Sequence, residues 1–297
     1  TFPFGEDIDT QVSGFTLTNG FSDYGGGLYL YRSSANVSDM TITDNIAYRT
    51  GAGIAIQGTY NAEGGPDYPT FDNIVVSNNS ANSDGVPEEY FSEGGGIYTN
   101  YNIFPTISNS IIENNDAIYG GGIFVHAYHN VTYNNCIIRN NEASVSGAIY
   151  SDGFHTSSLT MNSCEITGNI TSGTSENNYD IELYSIFDLK NVLIADNSGP
   201  TLLYSYSLGE AITSLENVTI TNNGGGVRVA AGSESAEINI NNTIIAQNGD
   251  DPYQQFIAAP SNTLEIDVFI EYSLINGIWW ANGSEGFENI LFSFGSY

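Results

Sequence analysis

The chain has 297 residues, of which 34 are acidic and five basic, giving a formal charge of −29. A field of that sign repels phosphate backbones and anionic headgroups, which argues against nucleic acid and anionic membrane surfaces as partners. Helix formers are few, Gly, Asn, Ser, Thr, Ile and Tyr are many, and no stretch is apolar for long enough to insert in a membrane as a helix, so one all-β domain over residues 1–297 is expected.

In chain order, the first legible segment is VSGFTLTNG, where Val12, Phe15 and Leu17 are expected in the core and Gly20 closes the stretch. A glycine turn and a second strand follow, GGGLYLY from Gly25. The next apolar stretch, MTITDN, ends on Asn45. The same frame then returns at Asn79, Asn115, Asn141, Asn169, Asn197, Asn223 and Asn248, at intervals of 25 to 36 residues. Eight residues before each asparagine stand Val37, Phe71, Ile107, Tyr133, Met161, Leu189, Leu215 and Ile240. Three before stand Ile42, Val76, Ile112, Ile138, Ile166, Ile194, Ile220 and Ile245. Five before come Met40, Ile74, Ser110, Cys136, Cys164, Val192, Val218 and Thr243, all small or apolar. Residues three and five before the asparagine point inward while the one between can face water, which is the alternation of a strand and not of a helix. A unit of this size cannot bury its apolar face alone, so the units must stack into a solenoid of nine clear coils and a degraded tenth around EYSLING.

Six residues before the main asparagines lies a second column, Asp39, Asn73, Asn109, Asn135, Ser163, Asn191, Asn217 and Asn242. Two polar columns per coil mark two bends, and stacked amides in both are expected to be buried and bonded from coil to coil, as asparagine ladders. After each main asparagine comes a glycine-rich turn and a second strand, as in GAGIAI, GGGIYTN, GGGIFVH, SGAIYSD and GGGVRV. On that strand Tyr29, Ala55, Tyr98, Phe124, Tyr150, Tyr184, Tyr204 and Arg228 are expected to form one outward column. Tyr31, Gln57, Asn100, His126 and Asp152 form a polar column beside it. Flat rings flanked by polar groups suit sugar hydroxyls, which makes Tyr98, Phe124, His126, Tyr150, Asp152 and Tyr184 the candidate ligand-binding residues; a ladder of rings that only stiffens the strands is the competing reading. The long insertions Gln57–Asp72 and Ser80–Glu93 place Asp84, Glu88 and Glu89 together as candidate calcium ligands. Cys136 and Cys164 share one inward column in adjacent coils, so a disulfide and two stacked thiols both fit.

The combination of VSGFTLTNG, repeated GGGIY and the segment Thr106 to Asn115 resembles the right-handed parallel β-helix repeats of large bacterial secreted and surface proteins, including polymorphic outer-membrane protein passengers. That resemblance implies an extracellular or cell-surface location. It also implies partners among other domains of a longer chain, and among glycans or cell-surface polymers. The opening TFPFGEDIDTQ falls inside a coil, in keeping with a piece of a longer protein. The fold also hosts polysaccharide lyases and hydrolases. A lyase would need a lysine or arginine base, usually with calcium, yet Arg32, Arg49, Arg139, Lys190 and Arg228 occupy unrelated columns. For the polygalacturonase relatives, Asp250-Asp251 is an isolated echo of their acidic pair. The expectation is therefore a non-catalytic structural or adhesive segment, with a polysaccharide-binding or polysaccharide-cleaving domain as the alternative.

Overall fold

The computed structural model describes residues 9–59, 66–81, 92–126, 130–152, 158–173, 179–184, 186–205, 211–231, 236–249, 256–259, 266–276, 278–280 and 290–294. They form an all-β parallel solenoid. A representative coil runs through strands Thr106–Ser108, Ile111–Glu113, Asp116–Tyr119 and Ile123–Val125, and each strand pairs in parallel with its counterpart in the coils before and after. Four faces result. The first has eleven strands, the second ten, the third six and the fourth ten. The coil count differs slightly from the nine to ten expected, since the four faces do not carry one strand each per coil throughout. The third face borders only the earlier coils among the described residues.

The sequence explains where the coil bends. Residues of the second polar column adopt positive φ, for example 51° at Asn109 and 54° at Asn135, and so does the residue before each main asparagine, at 54° for Asn114 and 53° for Asn140. Asn and Asp tolerate this left-handed conformation better than residues with bulkier Cβ substituents, so most of these corners turn on one such residue, with Ser163, Gly168 and Gln247 as exceptions. The third corner needs glycine. Gly120 has φ of 62°, and a Cβ on Gly121 would stand 2.2 Å from the Glu142 carbonyl oxygen of the next coil. These corners split the apolar stretch into two strands, so both its inward columns meet inside the tube. All three columns expected inside, at positions eight, five and three before the asparagines, are at most 3 % exposed. In the first coil Val12 and Leu17 pack against this core, but Phe15 is 59 % exposed. Phe15 sits at a corner of the outermost described coil, where a described neighbour covers it on one side only.

The main asparagines are the ladder. Each is buried, and seven Nδ2–H···Oδ1 bonds of 2.8–3.0 Å link Asn45 through Asn248. Asn115 shows how the amide is used. Its Nδ2 donates to Asn141 Oδ1 and to the Val76 carbonyl, while its Oδ1 accepts from the backbone N–H and the Nδ2 of Asn79. All four valences of a primary amide are occupied. Gly20, at the asparagine position of the first coil, has only its backbone N–H to give, and donates it to Asn45 Oδ1 at 2.9 Å. The second column corrects the expectation of burial. Its amides do bond from coil to coil, Asn135 Nδ2 to Asn109 Oδ1 at 2.8 Å, but in exposed positions. There asparagine serves the left-handed backbone first and the hydrogen bond second.

Candidate functional site

The fourth face carries the residues with chemistry. Its strands start immediately after the tight glycine corner, so their alternation is set by that corner: Ile97, Ile123 and Ile149 point into the core and Tyr98, Phe124 and Tyr150 point out. Strand register places Tyr29, Ala55, Tyr98, Phe124, Tyr150, Glu182, Leu202 and Arg228 in one column. Tyr184 is not in it. The pairing of Ser151 with Leu183 puts Tyr184 two residues further along, in line with Asp152, and it pairs instead with Tyr204. Tyr179 and Asp180 precede Ile181 where Gly121 and Gly122 precede Ile123.

The column is also less open than its outward direction suggests. Tyr98 is 6 % and Phe124 2 % exposed, and they form an apolar cluster with Ala55, flanked by Tyr29, Tyr119 and Tyr150. Tyr98 and Phe124 stack with centroids 5.7 Å apart, Phe124 and Tyr150 at 5.1 Å, with interplanar angles near those of parallel rings, 22° and 23°. Tyr119 meets Tyr150 edge-on at 5.8 Å. Rings in offset stacks of this kind stabilise one another beyond their buried area. A flat sugar-binding platform would need exposed faces, whereas here the faces of Tyr98 and Phe124 are spent on each other.

The polar column beside them is more accessible and is tied to the rings. Tyr29 donates its hydroxyl to Gln57 Oε1 at 2.8 Å, and Asn100 Nδ2 donates to the Tyr98 hydroxyl at 2.8 Å. Asn100 is 5 % exposed, and its Oδ1 has no hydrogen-bond donor among the described residues. Exchanging the amide's oxygen and nitrogen would leave its other end in the same position, so one polar atom is uncompensated in either orientation. His126 Nε2 lies 3.5 Å from Asp152 Oδ2, with side chains 29 % and 20 % exposed, and the Tyr101 ring stands 5.6 Å from the imidazole. Burial lowers the His126 titration, so the ring is neutral near pH 7 and the contact is a long polar one and not an ion pair.

Two acids were not singled out by sequence reasoning. Glu93 is raised to about 7, first by burial and then by the negative charge of Asp152; Glu182 is raised to about 8 by burial. Glu93 precedes the glycine corner, at a position that holds Tyr24, Thr50 and Tyr119 in other coils. That substitution of an acid for a neutral residue is the signal that could have found it. Burial, then Glu93 and Asp152, hold the Tyr98 hydroxyl well above its ordinary range. At the end of the column Arg228 Nη1 donates to the Tyr179 hydroxyl at 3.0 Å.

Of the candidate ligand-binding residues, Tyr98, Phe124, His126, Tyr150 and Asp152 are thus brought together on one face. The candidate calcium ligands Asp84, Glu88 and Glu89 lie outside the described residues. Among the described residues no three His, Cys, Asp or Glu side chains converge as metal ligands would. Cys136 and Cys164 are free, buried thiols. They line a groove of about 460 Å³ at the corner between the first and second faces, with Ser110, Asn135 and Ser163.

A family model described as a right-handed β-helix region matches residues 6–186, more than half of the chain. No curated protein and no solved structure matches it.

Proposed function

Because the chain belongs to the right-handed β-helix family, we propose that it is a non-catalytic segment serving as the rigid shaft of a larger bacterial secreted or cell-surface protein. The observation that carries this reading is the ladder from Asn45 to Asn248, in which each coil is hydrogen-bonded to the next through a saturated amide. Such a column resists bending and sliding, because displacing one coil strands buried polar groups in two others. The buried ring stack on the fourth face adds to the same stiffness. Partners on this reading are the other domains of that larger protein. Calcium enters only as a counter-ion of a surface with a charge of −29.

A second reading has its own support. The polar column of Asn100, His126 and Asp152, with the Tyr101 ring beside it, offers donors, acceptors and an aromatic edge in one line. A neutral glycan hydroxyl would complement the Asn100 amide end that no described residue pairs, whereas a uronate would meet Asp152 with like charge. On this reading the shaft is adhesive. The test is to incubate the chain with neutral and uronate polysaccharides, assay for new reducing ends and unsaturated products, and run a glycan array in parallel. The shaft reading expects no cleavage. Cleavage lost on Asp152→Asn or Glu93→Gln would overturn it, and array binding lost on Asn100→Ala would establish the adhesive reading.

A further inference from the structure

Position five before the main asparagine does more than fill the corner. The backbone N–H of Ile74 donates to Ser110 Oγ at 3.2 Å, that of Val218 to Thr243 Oγ1 at 3.3 Å, and that of Thr243 to Ser273 Oγ at 3.0 Å. Where this position holds Ser or Thr, its side chain caps the N–H of the coil before it. In the middle of this column sulfur takes the place of oxygen: the backbone of Ser110 bonds the Cys136 sulfur and that of Cys136 bonds the Cys164 sulfur. Cys136 Sγ in turn points at the carbonyls of Ile107 and Asn134, at 3.4 and 3.3 Å. Cys164 Sγ likewise points at the carbonyls of Tyr133 and Asn162, at 3.5 and 3.4 Å, and a sulfur held against the backbone nitrogen of its neighbour is within reach of the neighbour's sulfur. Ile137 pairs with Glu165, so the cysteines stand at equivalent corner positions, each one residue before two strands that pair in parallel. Parallel strands lie about 4.8 Å apart, inside the roughly 4.4–6.8 Å Cα range of disulfides.

We propose that Cys136 and Cys164 form a coil-to-coil oxidation site, which small disulfide oxidants reach through the groove they line and convert into a disulfide. Either thiol becomes the nucleophile on losing its proton, and the steps are written for Cys164 first and run equally with the two exchanged. With oxidised glutathione as oxidant, the Cys164 thiolate attacks one glutathione sulfur, the glutathione disulfide breaks, and one glutathione thiolate leaves. Cys136 then gives its proton to solvent and attacks the Cys164 sulfur, releasing the second glutathione. Two electrons pass from the thiol pair to the oxidant, two thiols become one disulfide, and two glutathione thiols result.

The experiment treats the reduced full chain with oxidised glutathione, quenches in acid, alkylates the denatured chain with N-ethylmaleimide, and reads the intact mass. A chain lighter by two hydrogen atoms, with no adduct and with a Cys136–Cys164 linked peptide on digestion, is the expected result. Two alkylated thiols, or a glutathione left on each cysteine, would overturn the proposal. Single variants keep it exposed to failure. Serine already occupies this column at Ser110, so Cys136→Ser and Cys164→Ser fit the corner. Cys136→Ser should trap one glutathione on Cys164, and Cys164→Ser one on Cys136. If Cys164 in the Cys136→Ser chain stays fully alkylatable, the groove does not admit the oxidant and the proposal fails.

Discussion

At the ladder corner the coils from Asn45 to Asn248 present the same side chain to one another, and an interior amide such as Asn115 spends its four hydrogen-bonding valences on neighbours. On the outward side of the fourth face the stacking is just as regular, but the residues differ from coil to coil. There an amide end of Asn100 is uncompensated among the described residues, and Glu93 and Glu182 are buried enough to hold their protons near neutral pH. The contrast shows that stacking by itself does not satisfy polar groups. Repetition of a residue that is both donor and acceptor does.

The largest effect should come from breaking the ladder. Asn141→Ala would remove the side-chain partner of three groups at a fully buried site, the backbone N–H and Nδ2 of Asn115 and the Ile112 carbonyl, and leave Asn169 Oδ1 one donor of two, at a cost of about 3 kcal/mol by chemical denaturation. Asn141→Asp should cost more, since a carboxylate turns an acceptor toward two acceptors and buries a charge. A small change in either would mean the amides are not the bonded column described.

The fourth face should respond with the opposite sign. Burial raises Glu182 from 4.5 to about 8, so across that window the folded chain holds a proton that the unfolded chain has released. Stability therefore falls as pH rises from about 4.5 to 8, by up to about 1.4 kcal/mol per pH unit, and levels off above it. Glu182→Gln should flatten this slope and stabilise the chain at pH 9 by on the order of 2 kcal/mol. Denaturation midpoints for parent and variant between pH 4 and pH 9 check it; parallel curves would show that Glu182 titrates as an exposed acid does.

A smaller effect separates the two amide columns. Asn135 is exposed, so Asn135→Ala should cost only about 1 kcal/mol, mostly for an alanine at a φ of 54°, and Asn135→Gly should be near neutral. A loss as large as that of Asn141→Ala would show that both columns are ladders of one kind. Smallest is the response to ions: sodium chloride should raise the melting temperature modestly by screening the charge of −29. Calcium chloride at equal ionic strength should match it if calcium is a counter-ion only, and exceed it if a specific site exists.

Much of this was legible in the chain. The three inward columns, the ladder and the glycine corners follow from residues that recur at fixed offsets, because a parallel stack repeats each environment once per coil. Three things were not. The exposure of Asn109 and Asn135 could not be told from the burial of Asn115 and Asn141, since both columns carry the same residue at the same spacing. Tyr184 was assigned to the ring column because Leu183 before it looks like an inward residue, as it is; Ile181 two residues earlier is inward as well, and only strand pairing chooses between the two registers. Glu93 and Glu182 looked like ordinary acids in an acidic chain until the fold buried them.

The sequence alone determined that this is a stacked parallel β-solenoid, where its core columns lie and which asparagines join its coils, because period-two alternation with a repeating frame has one way to bury its apolar side. The tertiary structure decided which amide column is inside, which coil partner each aromatic meets, and which acids are desolvated. Those properties depend on register between coils and on what covers a face, and neither is encoded in the spacing of residues along one strand.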